Sequence, residues 1–256
     1  MSKDTTEASR AVKSTDRTFR IVESLKRMDG ARVTELAREL DMANSTVHRH
    51  LQSLLENEYV VKEGDVYYLG MQFLDIGDYV RNRREVFRLA EDKVNQLAEK
   101  TDERGEFLVE EYGEVVFVHR EIGDNAVQAD SHIGKRLPIH ATSAGKAIMA
   151  FLPDERVSEI IEQKGLGSYT ENTITDEEIL RDELEQIRED HVAFAQQEYI
   201  QRLNSVSVPI IDVNDQVVGA LGISGPAHRI KGEWFQEEVP DLLLGFANEL
   251  EIKMSY

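Results

Sequence analysis

The sequence contains no cysteine, one tryptophan and five prolines among its 256 residues. Without cysteine sulfur the chain cannot form a disulfide framework, a thiolate metal site or a cysteine nucleophile. No stretch approaches the roughly 18 to 20 consecutive apolar residues that a bilayer-spanning helix needs. The first residues, Met1 to Arg17, are polar and lack the apolar core of a secretory signal. We therefore expect a cytoplasmic protein of one or two domains with no membrane partner.

Positive charge is also scarce, because 30 Lys and Arg residues stand against 49 Asp and Glu residues, a formal charge of −19. Residues 1–80 carry 11 basic and 14 acidic residues, a balance of −3, and the remaining 176 carry 19 and 35, a balance of −16. Within residues 10–49 the count is 9 basic against 6 acidic, so this stretch alone is net positive and attracts phosphate. The acidic surplus is typical of proteins from salt-saturated cytoplasms, and the alternative is an ordinary acidic protein.

The first eighty residues contain three short apolar patterns at helical spacing, and they predict a helix-turn-helix. The first pattern stops at Asp29-Gly30, where glycine can adopt the left-handed conformation that ends a helix. The second and third patterns are Val33, Leu36, Ala37 and Leu40, and then Val47, Leu51, Leu54 and Leu55. Only three residues, 41–43, separate them, and a connection that short forces the two helices to cross sharply.

The third predicted helix has a polar face opposite its apolar stripe. This face carries short or planar donors and acceptors, the groups with which a recognition helix reads base edges: Asn44, Ser45, Thr46, His48, Arg49 and Gln52. A generic solvated helix would more often carry Glu and Lys pairs, and the alternative is an amphipathic helix in a bundle. We predict base readout by Asn44, Ser45, Thr46 and His48. Phosphate contacts are predicted for Arg17, Arg20, Arg49 and Lys62.

Two β-rich runs follow, residues 59–61 and 66–69, around the turn Lys62-Glu63-Gly64-Asp65, and they predict a hairpin. A hairpin directly after a helix-turn-helix forms a wing. Lys62 is the only basic residue near its tip, so we expect a weak wing contact with DNA.

Residues 71–256 predict a mixed domain of helices and strands. A linking helix begins near Met71 and meets a polar break at residues 81–84, before a long amphipathic helix over residues 86–98. Strands are predicted at 106–111, 115–120, 205–211 and 217–223, and helices at 143–152, 155–164, 176–189 and 232–254. Thr175 and Glu178 read as a capping box for the third of these helices. This order predicts an α+β domain in which helices cover one face of the sheet.

Several segments in this order resemble the IclR family of transcriptional regulators. They are Ser45-Thr46-Val47-His48-Arg49, Tyr68-Leu69-Gly70, the run 137–147 with His140-Ala141-Thr142-Ser143-Ala144-Gly145-Lys146, Val208-Pro209-Ile210-Ile211-Asp212, and Gly222-Ile223-Ser224-Gly225-Pro226. The resemblance covers about residues 17–250 and, with the acidic composition, suggests a haloarchaeal type. It implies an α+β protein with a flexible tail (1–16), a winged helix-turn-helix (17–70), a linker helix (71–84) and a GAF-like α/β effector-binding domain (85–256).

The resemblance also implies partners: double-stranded DNA with a palindromic operator, a small-molecule effector and further copies of the chain in a homodimer or homotetramer. Relatives most often control catabolic operons for sugars, organic acids or aromatics, so such a target is implied by analogy.

In the family, the positions matching Ser143, Ala144, Ser205 and Ser224 line the effector cavity. The residues themselves fit this role, because Ser205 and Ser207 share one face of a strand and hydroxyls on apolar strands need a partner. Ser143 to Gly145 open a helix whose first amides lack internal partners, and small side chains would let an anion approach them. We add Gln196 to the predicted effector site. For any single serine, a core hydroxyl bonded to backbone is the alternative.

Three departures from the family concern the ligand. Ala195-Gln196-Gln197 stand where relatives carry an acidic residue upstream of Glu198, Gly222 replaces a Ser found in some, and Arg202 replaces a frequent Gly. They point to a neutral polyol, or to a sugar acid whose carboxylate pairs with Arg202, although an Arg after a strand is more often exposed.

No arrangement typical of an enzyme is present. Pro226 replaces the second Gly of a nucleophile elbow, and Gly145-Lys146 is followed by Ala147 rather than the Ser or Thr of a phosphate-binding loop. The histidines His119, His132, His140 and His191 include no helical i, i+4 pair around a Glu. We predict no catalytic residue, cofactor or metal. An enzyme that uses its N-terminal domain for dimerisation is the alternative. A DNA-architectural protein is disfavoured, because an acidic domain of 176 residues adds nothing to non-specific DNA affinity.

Overall fold

A computed structural model describes residues 12–123 and 132–255, which form two compact units divided between Val80 and Arg81. The first unit contains α1 (Lys13–Met28), α2 (Val33–Leu40), α3 (Asn44–Glu56), β1 (Val60–Glu63) and β2 (Val66–Leu69). The helix α4 (Gln72–Asn82) spans the division. No helix in the described ranges is long and apolar enough to cross a bilayer.

The helix α1 begins earlier than predicted. Lys13 to Asp16, assigned to the tail from sequence, are helical, and residues 1–11 of that tail lie outside the described ranges. The helix ends at Asp29, which is left-handed with φ of 52°, and Gly30 follows with φ of 94°. A Cβ atom on Gly30 would lie 2.3 Å from the Tyr68 ring, so glycine is required both for conformation and for space.

The three helices and the hairpin of the first unit share one apolar core. Ile21, Leu36, Val47 and Leu51 are fully buried in it, and Tyr67 of β2 packs against them. Burying a side chain of this size stabilises the fold by about 1.5 to 3 kcal/mol, so the apolar stripe fixes which side of α3 faces inward. The bundle alternative fails because α2 and α3 are joined by three residues and followed directly by the β1–β2 hairpin.

The second unit is built on an antiparallel sheet in the order β5-β4-β3-β8-β7-β6. Its strands are β3 (Arg104–Glu111), β4 (Glu114–Ile122), β5 (Arg136–Pro138), β6 (Ala193–Gln196), β7 (Leu203–Ile211) and β8 (Val217–Pro226). Its helices are α5 (Glu85–Thr101), α6 (Ser143–Met149), α7 (Asp154–Lys164), α8 (Glu177–Asp190) and α9 (Val239–Met254).

Helices cover both faces of this sheet, so the prediction of a sheet covered on one face was wrong. Phe107 joins a core that includes residues of α5 and α9, whereas its neighbour Leu108 joins a second core that includes residues of α6, α7 and α8. Successive side chains of a strand point to opposite faces, and both directions are apolar here. The segment between β5 and β6 returns over the second face and buries it.

Other differences are local. The short edge strands β5 and β6 were not predicted, because three or four residues carry too little alternation. The cap of α8 is Asp176 rather than Thr175: its Oδ1 accepts from the amides of Glu178 and Ile179, at 2.9 and 3.2 Å. The predicted last helix divides into a π-helical turn, Trp234–Glu238, followed by α9.

Candidate DNA-binding face and effector cavity

The predicted recognition face of α3 is directed to solvent. Asn44, Ser45, His48, Arg49 and Gln52 are exposed and Thr46 is half-buried. Gln52 is partly engaged, since its Nε2 donates to Glu56 Oε1 at 3.1 Å. The polar groups of α3 are therefore held by a rigid helix and open to solvent, as base readout requires.

Basic side chains lie on the elements around α3. Arg17 and Arg20 are exposed on α1, and the Arg20 guanidinium donates to the Leu40 carbonyl at 3.4 Å, linking α1 to the end of α2. Lys62 is exposed on β1, with its ammonium 5.3 Å from the centre of the Tyr67 ring. Positively charged side chains are therefore exposed on α1, on α3 and on the wing.

Sequence reasoning missed His50. Its ring lies on the flank of α3 and its Nδ1 is 2.8 Å from Thr18 Oγ1 of α1. Burial lowers the pKa of His50, and the charges of Arg17 and Arg49 lower it further. No local pattern could reveal this contact, because the two residues come from separate helices.

The second unit contains a narrow cleft, in which the space open to water-sized molecules is about 40 Å³. Of the predicted effector residues, the structure places Ala144, Ser205 and Ser224 in its wall. The wall also contains charged and aromatic groups that sequence reasoning missed: Arg104, Glu106, Lys135, Glu198 and Tyr199.

Ser143 and Ser207 lie behind the wall rather than in it. The Ser143 hydroxyl is 2.8 Å from the hydroxyls of both Ser205 and Ser207, so the three serines satisfy one another in the interior. Gly222 pairs with Ser207 across the sheet, and a Cβ atom there would come 2.2 Å from Ser207 Oγ. Glycine at position 222 therefore leaves room for the Ser207 side chain.

Arg104, Glu106 and Ser224 form a buried polar network at the cleft. The Nε and Nη2 of Arg104 donate to Ser224 Oγ at 2.9 and 2.6 Å, and the Ser224 hydroxyl donates to Glu106 Oε2 at 2.9 Å. Arg104 Nε also lies 3.2 Å from Glu106 Oε2. Arg104 and Glu106 are two residues apart on β3, and this spacing of opposite charges on one strand face was the available signal.

A second charged cluster reaches the cleft through Glu198. Lys146 of α6 is 0% exposed, and its Nζ donates to Glu198 Oε1 and Oε2 at 2.9 and 2.8 Å, and also to Glu183 of α8. Burial raises the pKa of Glu198 above its ordinary value, although Lys146 opposes this. The ammonium of Lys146 and the two carboxylate oxygens of Glu198 form a buried ion pair. The sequence showed Lys146 only as part of a failed phosphate-loop motif.

Two residues proposed for ligand contact do not line the cleft. Gln196 is exposed at the end of β6, whereas its neighbour Ala195 faces the cleft, as alternation along a strand requires. Arg202 is exposed, with φ of 64°, and its amide donates to Gln197 Oε1 at 3.0 Å. Glycine adopts this left-handed backbone more readily than arginine does.

The amides at the start of α6 do not form the open anion site expected from sequence. Thr142 caps the helix, and its Oγ1 accepts from the Gly145 amide at 3.2 Å. A Cβ atom on Gly145 would lie 1.8 Å from the Ile139 carbonyl oxygen, so backbone already occupies that space.

Two histidines, His119 and His140, are buried in the second unit. His140 Nε2 is 3.0 Å from the Gly167 carbonyl, and burial lowers the pKa of His140 and of His119. His132 and His191 are exposed. Across residues 12–123 and 132–255, no three His, Asp or Glu side chains are grouped to hold a metal ion.

Comparison with known proteins adds two family matches. Residues 14–64 match the IclR helix-turn-helix domain, and residues 79–250 match the bacterial transcriptional regulator IclR C-terminal domain.

Similar proteins cover nearly the whole chain. The HTH-type transcriptional regulator ArcR of Halobacterium salinarum is 29% identical, over 91% of this chain and 90% of ArcR. The HTH-type transcriptional regulator KdgR of Escherichia coli is 29% identical, over 96% and 94%. The crystal structure of Thermotoga maritima IclR is 28% identical and superposes with a TM-score of 0.80, over 95% of this chain and 98% of that one.

Proposed function

Because the chain belongs to the IclR family of transcriptional regulators, we propose that α3 reads a palindromic operator and that a small molecule in the cleft controls this binding. The chain is a regulator with a helix-turn-helix DNA-binding domain and a ligand-binding domain, and it is not an enzyme. The observation that carries the proposal is the polar face of α3, which is directed to solvent. Among the described residues, none of the polar side chains of this face belongs to the apolar core of the first unit. A regulator must reach the chromosome, so we also propose a cytoplasmic location.

The residues of the first unit divide into two roles. Asn44, Ser45, Thr46 and His48, with Gln52 at the far end of the face, read base edges. Arg17, Arg20, Arg49 and Lys62 hold phosphates, and such contacts position the protein without selecting sequence. We place the DNA-binding domain at residues 17–70, the linker helix at 71–84, and the effector-binding and oligomerisation domain at 85–256.

A palindromic operator needs two recognition helices, and therefore two copies of the chain. Support for a homo-oligomer, a dimer or a tetramer, comes from α4 and the residue before it. Met71, Leu74 and Tyr79 are 80%, 68% and 71% exposed there. Large apolar side chains clustered on the surface mark sites of association.

The chemistry of the cleft favours a small molecule that both accepts and donates hydrogen bonds. The charged groups of its wall, Arg104 and Lys135 against Glu106 and Glu198, balance in formal charge, and Ser205 adds a hydroxyl. A sugar acid or polyol matches such a surface, with hydroxyls directed to the carboxylates. We propose that the regulated genes serve catabolism of sugars, sugar acids or organic acids.

Selection of a duplex by the full-length protein from a random-sequence library tests the DNA proposal. We expect enrichment of a palindrome, and weaker binding of that duplex by Arg49→Ala in a fluorescence anisotropy titration. Arg27→Ala is the matched control, because Arg27 is exposed in the same unit but paired with Glu39 at 2.6 Å. Failure to enrich a duplex, or equal affinity of Arg49→Ala and wild type, would remove the α3 face from the interface.

Release of the selected duplex by a panel of sugar acids, hydroxy acids, aromatic acids and polyols tests the effector proposal. We expect at least one compound to shift the anisotropy titration, and Ser205→Ala to need more of it. Ser255→Ala, an exposed serine at the end of α9, is the control. A response that is equal in Ser205→Ala and wild type would place the ligand elsewhere.

A further inference from the structure

His50 occupies a position between the two helices that carry proposed phosphate contacts. It belongs to α3 and follows Arg49, and its ring meets Thr18, which follows Arg17 on α1. His50 is half-buried, whereas Arg17 and Arg49 are exposed. The imidazole therefore lies where α1 meets α3, and each helix carries an exposed arginine next to the residue that makes the contact.

The hydrogen bonds around Thr18 fix the orientation of this ring. The single hydroxyl proton of Thr18 is directed to the Ser14 carbonyl at 3.0 Å, while the same oxygen lies 2.8 Å from His50 Nδ1. A hydroxyl that donates once must accept the second bond, so we assign a proton to Nδ1. The nitrogen that can gain or lose a further proton is then Nε2.

The electrostatic surroundings of His50 disfavour the imidazolium in the free protein. Burial lowers the pKa of His50, and the charges that act in the same direction are Arg17 from α1 and Arg49 from α3. A DNA phosphate bound between these cations would offset their charge and attract a proton to the ring. Bound DNA would therefore raise the pKa of His50, whereas burial and the two arginines lower it in the free protein.

We propose that His50 is a further phosphate-binding residue beside Arg17 and Arg49, and that it takes up a proton when the DNA backbone docks between α1 and α3. The inference rests on the proposed function of α3 in DNA binding. It gives the affinity for DNA a dependence on pH as well as on salt, since each proton bound with the complex makes affinity rise as pH falls.

The experiment measures affinity for the selected duplex as a function of pH. We expect the wild-type dissociation constant to decrease as the pH is lowered from about 8 to about 6. The decrease should be at most about tenfold per pH unit for each proton taken up. His50→Gln keeps a polar side chain but cannot hold a cation, so its affinity should change less with pH. His228→Gln, an exposed histidine of the second unit, should retain the wild-type dependence.

Calorimetry supplies a second readout that needs no variant. Titration of wild-type protein with the duplex in two buffers of different ionisation enthalpy gives the number of protons taken up. We expect net uptake near neutral pH, and less of it with His50→Gln. His50→Arg, which carries a permanent charge, should bind at about pH 8 more tightly than His50→Gln.

The two proposals fail separately. Failure to enrich any duplex would overturn the proposed function. If a duplex is enriched but wild type and His50→Gln show the same pH dependence, or calorimetry finds no proton uptake, the role of His50 is overturned while the recognition function stands.

Discussion

Replacement of Lys146 by methionine should destabilise the second unit strongly. Methionine keeps most of the apolar stem but removes the ammonium that bonds both oxygens of Glu198, at 2.9 and 2.8 Å. Removing one partner of a buried ion pair typically costs about 3 to 5 kcal/mol, because the other charge is left without compensation. Glu183 is 32% exposed and can turn toward solvent, so we expect a loss near the lower end of that range.

The loss should depend on pH, with a sign set by Glu198. Burial raises the pKa of Glu198, and Lys146 opposes the rise. Without Lys146 the folded-state pKa of Glu198 moves further above its unfolded value, so the folded state binds this proton more tightly. The contribution of Glu198 to stability is then fullest below the unfolded pKa and is lost as pH rises through the folded pKa. The free energy of unfolding of Lys146→Met should therefore be closer to that of wild type at about pH 5 than at about pH 8.

Urea unfolding followed by circular dichroism, at one protein concentration and at both pH values, measures this. Lys146→Met with Glu198→Gln should recover part of the stability at the higher pH, since no buried carboxylate remains at position 198. Lys164→Met is the control, because Lys164 pairs with Glu114 at 3.2 Å on the surface and such pairs contribute little. A loss under about 1 kcal/mol, or one that is larger at the lower pH, would refute the buried-pair account.

Three further predictions follow from glycine geometry and from the DNA interface. Gly145→Ala should lower the midpoint of thermal unfolding by several degrees, since its Cβ would lie 1.8 Å from the Ile139 carbonyl oxygen. Gly77→Ala, where no atom lies near the added Cβ, should leave the midpoint unchanged. Equal midpoints for the two variants would contradict this. Arg49→Ala should reduce the slope of log affinity against log salt by about one per chain, and an unchanged slope would mean no phosphate contact. If the cell interior is rich in KCl, affinity for the selected duplex should fall less steeply with KCl than that of Escherichia coli KdgR for its own site, and a steep decline up to molar KCl would contradict this.

The first unit could be predicted almost entirely from sequence. Its helices follow from apolar residues three and four apart, and the connection between α2 and α3 permits only a sharp crossing. The same pattern leaves Asn44 and Arg49 on the outer face, where the structure has them. The contact between Thr18 and His50 was not predictable, because it depends on how α1 lies against α3.

The candidate effector cleft was predicted less completely than the first unit, because its polar groups meet through long-range strand pairing. Arg104 faces Ser224 only because β3 and β8 pair in one register, across 120 residues of chain. Lys146 and Glu198 likewise come together from α6 and the segment after β6. The serines were found because a hydroxyl on an apolar strand is conspicuous, whereas a single charge between strands resembles a surface residue.

The most direct test of the account is a crystal structure of the full-length chain bound to the duplex it selects. We expect two copies of α3 in successive major grooves, with Asn44, Ser45 and His48 at base edges and Arg17, His50 and Arg49 at the backbone. A complex in which this face of α3 contacts protein instead of DNA, or in which one copy binds alone, would contradict the central claim.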